Sequence, residues 1–367
     1  MNIELPLVRG DVDACIPIRE HCDPHVLLRE GTRGLAGAGV EVTQVRAFLV
    51  TAQGEIALVG HSEEQEEVPP RLASFPVPLS EEMLNECDES YFIGVTRSWP
   101  TKRTTTRNSV ATKPNEWGEG AESSSSMDTV AHVAIVGGQR EGNERMLRGA
   151  QLTPSGAVWR PLRKVGHLLG GNEAALALSA IALAAWHHSF RYCPRCAAPV
   201  RQILGGWASE CTGCGYVEYP RHDPAIIVRV DDGRGRTLLA HNTAWREGFV
   251  STIAGFVEAG ESPDQSVGRE LMEEVGLSVD DLTYVGTQPW PFPRSQMLGY
   301  VAKIHAEDPV PRPDGVEIEW ARFYSREELT EAILNGTVEA PGRASIAYAM
   351  LRDWYGGELP HGPLTSR

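Results

Sequence analysis

The stretch "GFVEAGESPDQSVGRELMEEVGL", residues 255–277, contains six carboxylates, and five of them come from glutamate. Ser262 can cap a helix, and Pro263 suits the first helical position because a helix leaves the N–H of that residue unpaired anyway. Gly276 is placed to end the helix, since glycine readily adopts the left-handed conformation found at helix C-termini. The stretch therefore predicts a loop, a helix that begins at Pro263, and a second loop.

Three carboxylates share one face of this predicted helix. Glu270, Glu273 and Glu274 are three or four residues from one another or adjacent, so their side chains project together. Like charges at this spacing destabilise a helix, and bound cations would neutralise them; oxygen ligands of this kind select Mg²⁺ or Mn²⁺. An acidic helix that faces solvent is the alternative that the helix alone leaves open. Val267 and Leu271 are expected to face a sheet.

Two Cys-x2-Cys pairs precede this stretch, at Cys193, Cys196, Cys211 and Cys214. Each pair can place two thiolates on one turn, and two such turns complete a tetrahedral Zn²⁺ site. The span between the pairs predicts a hairpin. Four thiolates leave no coordination position for water, so the zinc is expected to be structural. Redox dithiols or disulfides are the alternative.

Composition limits the class of protein. At 367 residues the chain is long enough for two or three domains, and 41% of it is hydrophobic. The formal charge of −15 argues against a general nucleic-acid binder, which normally has a basic surface. No apolar run approaches the roughly 20 residues that span a membrane, and the N-terminus lacks the layout of a signal peptide. We therefore expect a cytoplasmic protein without a membrane partner.

The opening stretch has the pattern G-x5-E-x7-R-E-L-x-E-E-x-G-L from Gly255 to Leu277, and it resembles the signature of the Nudix hydrolases at every position. The resemblance implies an α/β/α sandwich with a mixed sheet, and metal-assisted attack of water on a pyrophosphate. The catalytic residues that it implies are Glu261, Arg269, Glu270, Glu273 and Glu274. Mg²⁺ or Mn²⁺, in more than one copy, would be held by Ala254, Glu270, Glu273, Glu274 and Glu317. Glu319 is the neighbouring alternative to Glu317.

A second motif narrows the resemblance. "QPWPFPRS", residues 288–295, alternates prolines with two aromatic residues, so it is stiff and presents rings at a low cost in entropy. It is similar to the SQPWPFPxS motif of the NADH pyrophosphatase branch of the Nudix family, with Thr287 in place of the usual serine. That branch also carries a four-Cys zinc ribbon just before the catalytic domain. An Ala-rich helix ending in Trp-His precedes the ribbon in the branch, as does "EAALALSAIALAAWHH" (173–188) here.

The Ala-rich segment predicts a buried helix because it is apolar almost all round. Asn172 is expected to cap it. His187 and His188 lie at its C-terminus, where the helix dipole favours a positive charge, and we favour that structural role over metal ligation.

The branch resemblance implies a function. Its members hydrolyse NADH, and NAD⁺ less readily, to nicotinamide mononucleotide and AMP, and they remove the NAD cap from RNA 5′ ends. It also implies a homodimer. The substrate-binding residues that it implies are Tyr219, Phe256, Gln288, Pro289, Trp290, Pro291, Phe292, Pro293, Arg294, Ser295 and Ala347. Two alternatives stay open: a Nudix hydrolase of another nucleotide such as ADP-ribose or a diadenosine polyphosphate, and a non-catalytic zinc-ribbon sensor of NAD-like ligands.

These features predict an α/β protein with an N-terminal α/β domain, a zinc ribbon and a C-terminal Nudix domain. Hairpins are expected at 45–60 and 219–242, and strands of one sheet at "YFIGV" and "HVAIV". The predicted parts are an N-terminal domain at 1–155 with a mobile insertion at 101–127, a linking helix region at 156–190, a zinc ribbon at 191–218, a catalytic domain at 219–355 and a tail at 356–367.

Overall fold

A computed structural model describes residues 3–8, 10–60, 69–85, 87, 89–97, 129–136, 157–307 and 309–363. Helices α1–α8 span Ile16–His21, Pro24–Glu30, Glu81–Asn85, Leu162–Val165, Gly171–Ser189, Pro263–Val275, Arg326–Leu334 and Ile346–Tyr355. Strands β1–β10 span Gln44–Val50, Glu55–Val59, Arg71–Leu72, Ser74–Pro76, Glu89–Arg97, Thr129–Val136, Val158–Pro161, Val200–Ile203, Ala208–Cys211 and Val217–Glu218. Strands β11–β16 span Asp223–Asp231, Thr237–Asn242, Ile253–Phe256, Asp281–Trp290, Ser295–Lys303 and Ile318–Tyr324. The predicted insertion at 101–127 lies outside the described residues.

The N-terminal sheet has helices on both faces. Its strand order is β3-β2-β1-β6-β5, with β4 paired to β1 and β7 paired to β2. The predicted hairpin of β1 and β2 is confirmed, and β5 and β6, predicted as strands of one sheet, lie in it as antiparallel neighbours. Alternate residues of β1 face opposite layers, so Phe48 packs with the long helix α5 while Leu49 packs with α1 and α2. The long helix is therefore part of this layered structure.

Helix α5 is buried, as its composition predicts, but its ends differ from expectation. The cap is Gly170, and Asn172 lies inside the first turn, where its Oδ1 accepts the N–H of Asp11 at 2.8 Å. His187 is buried, and its Nε2 donates to the carbonyl of Gly206 at 2.7 Å. Burial lowers the pKa of His187, so the predicted positive charge at this helix end is wrong for His187.

The C-terminal domain is the α/β/α sandwich that the resemblance implies. Its sheet order is β14-β15-β11-β12-β16, with β13 paired to β11, and it is mixed because β11 and β15 run parallel. Val228 of β11 packs with α6 on one face, whereas Ile227 packs with α8 on the other. The predicted hairpin of β11 and β12 is confirmed, with Asp231 opposite Thr237.

Between the two domains lies a small antiparallel sheet of β8, β9 and β10. Its first two strands form the hairpin predicted between the cysteine pairs. Besides the His187 contact, Trp207 anchors this sheet to the N-terminal domain by donating its indole N–H to the Phe92 carbonyl at 2.7 Å. Among the described residues, no helix is both long and apolar enough to cross a membrane.

Candidate active site and zinc site

The carboxylate-bearing helix α6 begins and ends where the sequence predicts. Ser262 caps it, and the side chains of Ser262 and Gln265 bond each other's backbone N–H in a capping box. Gly276 ends it in the left-handed conformation, with φ 63°. Val267 and Leu271 are fully buried against the sheet, as expected. This packing fixes the direction in which the carboxylates project.

Glu270 faces the backbone of strand β13 at Gly255. A Cβ built on Gly255 would lie 2.0 Å from Cδ of Glu270, so only glycine leaves room for the carboxylate. The Glu270 side chain is only 12% exposed. Burial raises its pKa, Glu273 and Glu317 add to this effect, and Arg269 opposes it. The Glu270 carboxylate thus occupies the space that a side chain at position 255 would fill.

The substitution Gly255→Ala is expected to reduce hydrolysis at least about a hundredfold, because displacement of a catalytic group by about 1 Å has that effect. The reason is the clash of the new Cβ with Glu270. Gly268→Ala is the matched control. Gly268 lies on the helix that carries Glu270, and a Cβ there would meet nothing within 4 Å. We expect that control to keep activity and to gain up to about 1 kcal/mol of helix stability. Steady-state kinetics and urea unfolding of both variants test this, and equal activities would contradict it.

Glu274 is the most deeply buried of the predicted ligands of Mg²⁺ or Mn²⁺, at 5% exposure. Burial, followed by the charges of Glu270, Glu317 and Asp314, raises its pKa from 4.5 to about 8. A carboxylate crowded by others in this way is neutralised either by a proton or by a cation. The oxygen donors here suit a divalent cation of the Mg²⁺ class.

Arg269 organises the rest of the cluster. Its Nε and Nη2 each donate to Glu261 at 2.9 Å, and its Nη1 bonds Glu270 at 2.9 Å and Glu273 at 3.1 Å. Nη2 also donates to the Phe256 carbonyl at 2.9 Å. The bond from Arg269 lowers the pKa of Glu261. Glu261 therefore holds the loop before α6 in place through Arg269. Glu273, at 61% exposure, remains open to solvent.

Glu317 directly precedes β16 and Glu319 lies in it, and the two side chains have different surroundings. Glu317 acts electrostatically on Glu270 and Glu274, whereas Glu319 lies 3.5 Å from Nε2 of His241. Sequence reasoning missed Asp314, whose carboxylate accepts the backbone N–H groups of Val316, Glu317 and Ile318 at 2.9–3.2 Å. The Asp-Gly pair at 314–315, a turn signal, could have indicated it.

The residues expected to bind substrate fall into two groups. Tyr219 and Phe256 present their rings to solvent, at 59% and 60% exposure, and Phe256 directly follows Gly255. Ala254, expected to offer its carbonyl to the metal, is also exposed. Ala347 is instead 2% exposed and packs with Ile227 and Met350. Its placement differs from the expected substrate contact.

The segment 288–295 lies against the N-terminal domain. Gln288 is fully buried and donates to the Ala344 carbonyl at 3.0 Å, and Pro291 is also buried. Trp290 and Phe292 form an edge-to-face pair, 4.9 Å between ring centroids, which packs on the N-terminal core. A Cβ on Gly54 would lie only 2.7 Å from the Phe292 ring. The remaining members, Pro289, Pro293, Arg294 and Ser295, are partly or fully exposed.

The four cysteines of the small sheet converge. Their Sγ atoms lie within 4.8 Å of one another, with Cys193 to Cys214 at 3.7 Å and Cys196 to Cys211 at 3.4 Å. A tetrahedral zinc with Zn–S bonds of about 2.3 Å requires sulfurs about 3.8 Å apart, whereas a disulfide requires about 2.05 Å. The N–H groups of Gly213 and Cys214 donate to Cys211 Sγ, as suits a thiolate. This arrangement supports structural zinc over disulfides.

Comparison with known protein families finds the same two parts of the chain, the four-cysteine sheet and the carboxylate-bearing domain, as separate domains. Residues 220–346 match the NUDIX domain, and residues 188–219 match the NADH pyrophosphatase zinc ribbon domain.

Curated relatives carry the name NAD-capped RNA hydrolase NudC. The protein of Mycobacterium bovis (strain BCG / Pasteur 1173P2) is 39% identical over 53% of this chain and 64% of its own length. Those of Stutzerimonas stutzeri and Pseudomonas aeruginosa are 37% and 39% identical, over 52% and 47% of this chain and 66% and 62% of their own lengths. The match thus spans somewhat less than two thirds of each relative.

Proposed function

We propose, since this chain carries a Nudix domain joined to the zinc ribbon domain of NADH pyrophosphatases, that it hydrolyses the pyrophosphate of NADH and NAD⁺. The products are nicotinamide mononucleotide and AMP, and the same cleavage removes an NAD cap from an RNA 5′ end. The observation that carries this proposal is the carboxylate cluster of α6, packed against Gly255 and beside the exposed ring of Phe256. The names of the curated relatives support it.

Glu270 and Glu274 would be the principal ligands of Mg²⁺ or Mn²⁺, and Glu317, Glu273 and the Ala254 carbonyl would complete the donor set. When bound, such cations neutralise a pyrophosphate and acidify a water molecule. Gly255 lets the backbone approach Glu270 closely, and Asp314 orders the turn that carries Glu317. The reaction forms one P–O bond to water and breaks one bridging P–O bond, and Glu273 would orient that water.

Arg269 restricts the rotamers of the carboxylates before substrate binds, because one guanidinium bonds Glu261, Glu270 and Glu273 together. A planar guanidinium with five donors suits this task, whereas a lysine ammonium does not. We further propose that the enzyme acts in the cytoplasm as a homodimer, in keeping with the branch that it resembles.

A test of the dinucleotide site uses Phe256. The substitution Phe256→Ala is expected to reduce kcat/KM for NADH about ten- to hundredfold, since stacking of a base on an aromatic ring contributes about 1–3 kcal/mol. The melting temperature should not change, because the ring is 60% exposed. Phe292→Ala is the contrasting variant: its ring packs on the N-terminal core, so we expect a lower melting temperature. Unchanged NADH kinetics in Phe256→Ala would contradict the assignment.

Hydrolysis of ADP-ribose or a diadenosine polyphosphate is the second candidate function. The carboxylate cluster would serve either substrate, since both contain a pyrophosphate bond. NADH contains a nicotinamide and ADP-ribose does not. Phe256→Ala should therefore reduce kcat/KM for NADH more than that for ADP-ribose if our proposal holds. Equal losses with both substrates would favour the second candidate.

A further inference from the structure

We propose that Arg221 and Arg294 form a phosphate clamp for the RNA chain that follows an NAD cap. The proposal rests on the proposed function, and it adds a contact that a free dinucleotide does not use.

The clamp is built around one carboxylate. Asp223 Oδ1 accepts from Arg221 Nε at 2.6 Å, and Asp223 Oδ2 accepts from Arg294 Nε at 2.6 Å. Both arginines use Nε for this contact, and among the described residues none accepts a hydrogen bond from their terminal Nη groups. The two outer N–H forks therefore remain available to a ligand.

The exposure and charge of the clamp suit an anion. Arg221 is 70% exposed and Arg294 45%, whereas Asp223 is only 17% exposed. Two guanidiniums beside one carboxylate leave a net charge of about +1 in a chain whose formal charge is −15. Guanidinium forks match the oxygens of a phosphate in geometry. A local cationic pair is what an acidic protein requires to hold a polyanion near its active site.

The position of the clamp distinguishes it from the pyrophosphate site. Asp223 begins β11 and lies three residues from Ile226, which pairs with Gly255, so it is about 10 Å from that glycine along the sheet. The N–H of Val257 donates to the Pro224 carbonyl at 3.0 Å, which ties the residue after Phe256 to the same strand end. Arg221 is thus beside the expected dinucleotide site but outside the carboxylate cluster.

That separation matches the chemistry of a capped RNA. The pyrophosphate of the cap is expected to bind at Glu270 and Glu274. The first phosphate of the RNA chain is attached to the adenosine ribose on the side away from that pyrophosphate. NADH has no phosphate at that position. A contact from Arg221, which is outside the set of expected dinucleotide contacts, therefore stabilises the complex with capped RNA and contributes nothing to the complex with NADH.

The test compares Arg221→Gln with the unaltered protein on a short NAD-capped RNA and on NADH, each over a range of salt concentrations. We expect the ratio of kcat/KM for capped RNA to that for NADH to fall roughly fivefold, the size of one exposed charge-assisted contact. The slope of log kcat/KM for RNA against log salt should decrease by about 0.7, as for one phosphate contact of a single strand. Arg221→Lys retains the charge and should keep most of that slope.

Arg201→Gln is the matched control, because Arg201 is 65% exposed and pairs with one carboxylate, Glu210, in the small sheet. It should leave the ratio and the slope unchanged, and all variants should melt at the same temperature. If Arg221→Gln lowers both activities equally, or leaves the ratio and slope unchanged, the clamp is wrong although the proposed function stands. If the unaltered protein cleaves neither substrate, the proposed function and the clamp both fail.

Discussion

The substitution Glu274→Gln is expected to abolish pyrophosphate hydrolysis, with a loss of at least about a thousandfold, the scale seen when one electrostatic catalytic group is removed. It should also stabilise the protein in the absence of added Mg²⁺ or Mn²⁺. Both effects have one cause. A buried carboxylate among Glu270, Glu317 and Asp314 requires a cation, and an amide does not.

The pH dependence gives the sign of the stability effect. In the folded protein the pKa of Glu274 is raised from 4.5 to about 8. Between these values the carboxyl ionises in the unfolded chain but stays protonated in the folded protein, so the free energy of unfolding falls as pH rises through this window. The loss amounts to a few kcal/mol at most. Glu274→Gln should remove it, and added Mg²⁺ should offset it in the unaltered protein.

Urea unfolding at pH 5 and pH 9, with and without Mg²⁺, measures both parts of this prediction. Chelators are avoided because they would also remove zinc. Glu319→Gln is the control, since that side chain is 64% exposed and lies beside His241. It should retain activity. Undiminished hydrolysis in Glu274→Gln would contradict the metal assignment.

The second large effect is expected at the zinc site. Cys193→Ser should eliminate zinc binding and lower the free energy of unfolding by more than about 5 kcal/mol, because a structural zinc contributes much of the folding energy of so small a sheet. Cys193 and Cys211 are buried within the cluster. Loss of the zinc should also destabilise the N-terminal domain, because the hydrogen bonds of Trp207 and His187 connect that domain to the small sheet.

Zinc content by mass spectrometry and urea unfolding test this expectation. Cys22→Ser is the control, because its sulfur lies close to Gly205, in the turn between β8 and β9, yet outside the cluster. It should keep one zinc per chain. A protein that holds no zinc and is unaffected by Cys193→Ser would favour the redox alternative.

Local sequence patterns predicted the parts of the site that depend on local geometry. The cap at Ser262 and the end at Gly276 follow from the capping preferences of serine and glycine, and the shared face of Glu270 and Glu274 follows from helix periodicity. The convergence of the cysteines likewise follows from two short spacings. Such features need no knowledge of what packs against them.

The features that sequence did not predict depend on contacts between distant segments. Gln288 is buried and bonds Ala344, Phe292 packs on the N-terminal core, and Ala347 is buried against Ile227 of β11. The pKa of His187 is lowered because its ring is buried, stacked on Tyr91 and close to Gly206, nineteen residues later. A dipole argument that considers only the helix misses such burial.

The central claim is that this chain cleaves the pyrophosphate of NADH. Its most direct test is product analysis of NADH, NAD⁺, ADP-ribose and an NAD-capped RNA incubated with the pure protein and Mg²⁺ or Mn²⁺. We expect release of AMP and reduced nicotinamide mononucleotide from NADH, and of nicotinamide mononucleotide from the capped RNA. Turnover of ADP-ribose alone, or no turnover with metal bound, would contradict it.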